Sequence, residues 1–349
     1  MSYKTNAACL KSSMLLLFLL IWLQGFNQFN FSDVDDLLQK NQKAFGNNVV
    51  TLVYKDSIIY KKEIGEYFNA KTQAPIAGAS KWLATAVIMT FVDQGKLKLD
   101  DPITKYIPGY GKYAKAYLTI RHCLSMTTGI ENDQGKLAKM LTKKRFSTLE
   151  EEVNALAAKE ISNNPGQEFH DGPIGINIAA RVVEIIGKKG FDRLATERIF
   201  RPLKMRGTSF TDENGGATNP SGGARSTAND YMNFLIMILK KGMFDGKKIL
   251  SEEAIAEMQK IQFAGLPVKF KPKQVDGFDY GLGEWIEKDE KGNSSVISSP
   301  SLSGTWPLID KCRGYAVIVI TGGLVAEEKK ELFQSLKLAI DERIPSQCK

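Results

Sequence analysis

The chain has 349 residues, 43% hydrophobic and 25% charged, with a formal net charge of +8. That length and apolar content can bury a sizeable core in one large domain or two interleaved ones, which excludes a disordered chain. Basic clusters at Lys143-Lys144-Arg145, at Lys240-Lys241 and over 269–273 sit beside acidic residues or apolar runs and lack the interleaved aromatics of a nucleic-acid surface, so they read as solvated faces.

At the N-terminus, Lys4 and Lys11 precede an apolar run over 14–23, followed by polar Gln24 and Asn27. This is the layout of a secretory signal over 1–25, with an apolar stretch too short to span a bilayer comfortably. An uncleaved membrane anchor is the rival reading, and would be the chain's one contact with a membrane. Cys9 precedes the apolar run, which argues against a lipoprotein. Loss of Lys4 and Lys11 with the signal lowers the net charge from +8 to +6. The three remaining cysteines, Cys123, Cys312 and Cys348, are too few and scattered for a zinc site or a disulfide scaffold. A Cys312–Cys348 bridge could tether the tail in an oxidising compartment, and Cys123 lies in an apolar helical pattern that suits the core.

Apolar spacing predicts a helix over 33–45 capped by Ser32, then a hairpin of strands over 49–54 and 58–64. A long apolar helix over 81–94 ends at Gly95. Helical spacing continues over 120–126, 149–158, 174–186, 191–199, 228–240 and 252–262. Strands return over 280–286, 294–298 and 315–321, before a closing amphipathic helix over 329–340. Strands at both ends and helices between them predict an α+β fold: an antiparallel sheet built from the two chain ends, covered by the first and last helices, with an inserted helical domain. The expected division is 1–25 signal, 26–100 and 266–349 as two parts of the α/β domain, and 101–265 mainly helical.

The long helix opens on Pro75-Ile76-Ala77-Gly78-Ala79-Ser80-Lys81-Trp82-Leu83 and is followed by Gly95-Lys96-Leu97-Lys98-Leu99-Asp100-Asp101-Pro102. Further on stand Leu118-Thr119-Ile120-Arg121-His122-Cys123-Leu124-Ser125-Met126-Thr127-Thr128-Gly129, Ile199-Phe200-Arg201-Pro202-Leu203 and Tyr280-Gly281-Leu282-Gly283. In order and spacing these blocks resemble the serine β-lactamase and penicillin-binding-protein-like hydrolases, over about residues 49–321. The resemblance implies a β-lactamase/transpeptidase-like fold, acyl-transfer chemistry and no cofactor or metal.

In that family a Ser-x-x-Lys opens the long helix, yet three residues before Lys81 stands Gly78, which has no side chain to acylate. Ser80 lies about 200° around the helix from the nucleophile's position and is a poor substitute. A tyrosine normally enters the cleft before the next helix, and Asp171, beside His170, occupies its place. An Asp171–Lys81 pair would remove Lys81 as a base. The third block normally carries a basic residue, a small one and Gly. Here Ser303-Gly304-Thr305-Trp306 lacks the basic residue, and Ser80, His170, Ser303, Gly304 and Trp306 are expected to line the cleft. The resemblance assigns the oxyanion hole to the backbone N–H groups of Gly78 and Thr305, which do not depend on a serine side chain. The expected function is a secreted or periplasmic, degenerate hydrolase that binds a small-molecule or peptide ligand, with no nucleic-acid partner. An active hydrolase or acyltransferase built on Lys81, Asp171 or His170 is the alternative.

Overall fold

Two distant chain segments pair edge to edge, and this pairing dictates the architecture. The computed structural model describes residues 29–113, 115–131, 146–211, 216–262, 265–301, 303–322 and 330–348. The expected signal over 1–25 and the Lys143–Arg145 cluster lie outside the described residues. Strands β1 (Val49–Lys55), β2 (Ser57–Ile64), β3 (Asp279–Tyr280), β4 (Trp285–Lys288), β5 (Ser294–Ser298), β6 (Trp306–Asp310) and β7 (Tyr315–Thr321) form one sheet in the order β2-β1-β7-β6-β5-β4-β3. All neighbours are antiparallel, and β1 meets β7 in register from Val49 opposite Thr321 to Tyr54 opposite Ala316.

The helices are α1 (Ser32–Lys40), α2 (Ser80–Asp93), α3 (Ile120–Leu124), α4 (Leu149–Ala157), α5 (Ile174–Gly187), α6 (Phe191–Ala195), α7 (Ala228–Leu239), α8 (Glu252–Met258) and α9 (Lys330–Asp341). Successive strand side chains point to opposite faces. Val49, Val53, Val317 and Val319 therefore pack under α1 and α9, against Val34, Leu38, Phe333 and Leu336. Val50, Leu52, Ile318 and Ile320 turn the other way, into the larger core shared with α2 and α7. β7 is buried along its whole length, as a central strand covered on both faces must be. α2 is buried continuously from Trp82 to Phe91 because it runs through the middle of that core, with Trp82 edge-on to Phe234 at 5.5 Å.

Several expectations change in detail. The helix expected over 33–45 breaks at Asn41, and a short 3-10 turn, Gln42–Phe45, replaces its end. Ser32 is not its cap. Phe31 holds that position, and the Ser32 N–H donates to Asn30 Oδ1 at 3.0 Å. The strand expected over 280–286 is split by a turn, because Gly283 passes so close to α2 that a Cβ on it would sit 2.1 Å from Thr85 Oγ1. The helix expected over 252–262 stops at Met258, and that over 191–199 continues past Ala195 as a π-turn, Thr196–Phe200. Among the described residues, no helix is long and apolar enough to cross a membrane.

Cys312 and Cys348 form a disulfide across 36 residues, tying the tail beyond α9 to the end of β6, while Cys123 is free and buried. Closing a loop of that size restricts the unfolded chain by roughly 4 kcal/mol in the chain-entropy model, and measured values usually fall to about 2–4 kcal/mol. Cys348→Ser should lower stability by about that amount under non-reducing conditions. An unchanged melting temperature would show that the bridge constrains nothing.

Candidate active-site cleft

The start of α2 is set by a 3-10 turn, Ala77–Ala79, that runs directly into the helix. Ala77 sits at φ 42°, a left-handed conformation that costs a non-glycine residue of order 1–3 kcal/mol and is typical of functional sites. Lys81 follows on the first turn of α2.

Asp171 arrives from a separate element. The short strand Phe169–His170 lies parallel to Val268–Phe270. The His170 N–H donates to the Met126 carbonyl at 2.9 Å, and the Asp171 N–H donates to the Phe270 carbonyl at 3.0 Å. With its backbone held on both sides, Asp171 presents its carboxylate to the Lys81 ammonium and forms an ion pair. The two side chains are 13% and 9% exposed, so the pair is largely withdrawn from bulk water. Removing one member of such a pair strands the other and costs about 3–5 kcal/mol. A paired ammonium also has no lone pair with which to take a proton.

Gly78 faces the loop between β5 and β6. A Cβ built on it would meet the Pro300 carbonyl oxygen at 3.4 Å and Ser301 Cβ at 3.5 Å, which are ordinary contacts. The glycine is therefore not forced by crowding. The loop is a tight turn: the Ser301 N–H donates to the Thr305 carbonyl at 2.9 Å and the Gly304 N–H to the Ser301 carbonyl at 3.1 Å, with Gly304 at φ 77°. Hydroxyls extend the network, with Ser301 Oγ 2.7 Å from Ser303 Oγ, Ser303 Oγ 3.3 Å from Thr305 Oγ1, and Thr321 Oγ1 donating to the Ser303 carbonyl at 2.7 Å.

This geometry corrects two expected positions, Trp306 and Ser80. Pro300 and Ser301 are the residues nearest to a Cβ on Gly78, because the turn carries the segment before Gly304 onto α2. Thr305 is fully buried, and its carbonyl accepts the Ser301 N–H. Trp306 is not in the cleft: strand alternation sends it to the opposite face, 5.2 Å from Phe333 of α9. Ser80 is fully buried and its Oγ accepts from the Ala224 N–H at 3.1 Å, so it belongs to the core. His170 lies next to Asp171, and its buried Nδ1 has no hydrogen-bond partner among the described residues. Burial, with Lys269 adding to it, holds the His170 imidazole below its ordinary value and therefore neutral at pH 7.

Glu284 was not singled out by the sequence reading. It is fully buried, and neither carboxyl oxygen has a partner at hydrogen-bond geometry. Burial pushes this carboxyl up to about 8, and Lys311 and the Trp82 indole N–H only partly offset that. The Trp82 N–H, Thr85 Oγ1 and the Tyr280 hydroxyl are likewise buried without a partner at bonding geometry. The Tyr280 hydroxyl is held far above its usual range by burial, then by Asp171 and Glu284. The signal was present: one acidic residue inside the glycine-rich and apolar run Tyr280–Ile286.

The family model described as Beta-lactamase matches residues 34–339. Protein flp of Staphylococcus aureus (strain MW2) is 23% identical over 146 residues, 41% of this chain and only 29% of flp. The D-alanyl-D-alanine-carboxypeptidase/endopeptidase AmpH of Escherichia coli (strain K12) is 22% identical over 250 residues, 66% of this chain and 64% of AmpH. A candidate beta-lactamase from Bacteroides dorei superposes with a TM-score of 0.78 at 28% identity, covering 89% of this chain and 98% of that one. The structure of EstCE1, described as a hydrolase with promiscuous acyltransferase activity, superposes with a TM-score of 0.73 at 17% identity, covering 88% and 97%. At that identity the second likeness speaks for the fold alone: an antiparallel sheet with helices on both faces.

Between the ordinary value of 4.5 and about 8, folded Glu284 keeps a proton that the unfolded chain has released. Stability therefore falls as pH rises through this window, by up to about 1.4 kcal/mol per pH unit. Glu284→Gln should flatten that slope in urea unfolding between about pH 5 and pH 8. An unchanged slope would show that Glu284 does not hold the proton.

Proposed function

The chain belongs to the beta-lactamase family, and on that premise we propose that its cleft binds a peptide, acyl or ester ligand without forming an acyl-enzyme. The observation that carries this reading is the Lys81–Asp171 ion pair beside Gly78. Acylation of an enzyme needs a side-chain nucleophile and a base to take its proton. Gly78 offers no hydroxyl, and Lys81 is committed to a carboxylate. Loss of a nucleophile costs on the order of 10⁶ in kcat in a well-studied serine protease, while binding and backbone donors retain a remnant.

The ligand classes come from the relatives. AmpH is named for D-alanyl-D-alanine peptides and EstCE1 for acyl transfer, so a peptide or acyl group is what a cleft of this ancestry accommodates. The N-terminal pattern over 1–25 supports export to a secreted or periplasmic location. The Cys312–Cys348 disulfide fits an oxidising compartment.

A second reading has one observation in its favour. His170 is neutral, its Nδ1 has no partner, and it adjoins Asp171, an arrangement able to activate a water on a bound ester. Hydrolysis of p-nitrophenyl acetate separates the two. The unmodified protein should match a Gly78→Ala control at background, and the Gly78→Ser, Asp171→Tyr double variant should release p-nitrophenol well above it. Turnover by the unmodified protein that disappears in His170→Ala or Lys81→Ala would replace the binding reading with the catalytic one.

A further inference from the structure

The face of the sheet opposite α2 carries a cavity of about 280 Å³ between β4–β6 and α9. Phe278, Trp306, Leu308 and Phe333 form its walls, and Glu287 and Lys337 both line it. Trp306 and Phe333 pack at 5.2 Å with ring planes tilted by 36°. Leu338, at the edge of the cavity, is 63% exposed.

The charges around this cavity do not balance. Three carboxylates, Glu287, Asp310 and Asp341, share the neighbourhood with two cations, Lys337 and Arg313. Both cations are already engaged. Lys337 Nζ lies 3.1 Å from Asp310 and 2.5 Å from Asp341, and Arg313 lies 3.4 Å from each of the same carboxylates. Asp310 also accepts the Arg313 N–H at 2.8 Å, and Asp341 accepts the Tyr315 hydroxyl at 2.8 Å. Glu287 takes part in none of the ion pairs among the described residues. It is the carboxylate left over, beside an aromatic wall.

From this we infer that the cavity is a binding site for a small aryl- or alkyl-ammonium ion, its cation on Glu287 and its apolar part against Trp306, Phe333 and Leu308. An anion would face a third carboxylate with no unengaged cation to offset it. A neutral apolar molecule would cover Glu287 without supplying a partner, which is costly for a charge. An ammonium supplies a charge-assisted hydrogen bond and attraction to the electron-rich ring faces at once. The cavity's size, at the low end of the usual range for ligand pockets, suits a one-ring amine. Burial raises the pKa of Glu287, Lys337 lowers it in part, and Asp310 and Asp341 raise it again, so its carboxylate has more negative than positive neighbours.

The cavity also touches the cleft region through one residue. Pro300 lines it, and the Pro300 carbonyl is the atom that a Cβ on Gly78 would meet at 3.4 Å. The inference itself rests on the cavity alone and is independent of whether the cleft is catalytic.

The test uses 2-phenylethylamine, protonated at pH 7, and its neutral analogue 2-phenylethanol, each titrated into the full chain and followed by calorimetry and ligand-observed NMR. The amine should bind saturably and at least tenfold more tightly than the alcohol. Glu287→Gln should bring the two to within about twofold of each other. Leu338→Arg, an exposed change that spares the packing, should weaken the amine selectively by placing a like charge at the edge. Equal affinities for amine and alcohol in the unmodified protein, no binding of the amine, or a preference for the amine that survives Glu287→Gln would each overturn the inference.

Discussion

The pairing of β1 with β7 is the constraint from which the rest of this structure follows. It joins residues 49–54 to 316–321, so the intervening chain must leave the sheet and return to it. The helical middle is thereby anchored at both ends. The return path, through β3 to β6, lays the turn between β5 and β6 against the start of α2. Gly78 meets Pro300 and Ser301 only because of that closure. A cleft between two walls this far apart in sequence exists in the folded chain and nowhere else.

Within that frame the proposed binding role rests on a few side chains. Lys81 stays on the first turn of α2 and its neighbours stay packed, with Trp82 against Phe234 and the Ser80 hydroxyl on the Ala224 N–H. Asp171 gives Lys81 a partner and makes the pair electrically neutral. On the far wall the turn is held by the Ser301 N–H, which donates to the Thr305 carbonyl. Two separate features point in one direction: no hydroxyl at Gly78 and a Lys81 ammonium paired with Asp171. Beneath them, Glu284 and its neighbours form a buried polar cluster that favours a protonated acid, an environment distinct from the ion pair above it.

The sequence made the sheet from two chain ends legible because the β-branched, apolar runs of β1 and β7 are strong signals. The same holds for α2, where Gly95 marks the end. Details set by tertiary contact were not legible. Nothing local says that Gly283 must split a strand to clear Thr85, or that Pro300 and Ser301 are carried up to Gly78. Trp306 was misplaced for a related reason: its side of the sheet depends on where β6 begins, and a one-residue change in that start reverses every side chain. Lys81 and Asp171, 90 residues apart, were brought together by family resemblance, and the ion pair places them in contact.

The central claim is that the cleft cannot become acylated. Intact-protein mass spectrometry after prolonged exposure to a penicillin tests it most directly. The account predicts an unchanged mass for the unmodified chain. A stoichiometric adduct that maps to the cleft and is lost in Lys81→Ala would contradict it.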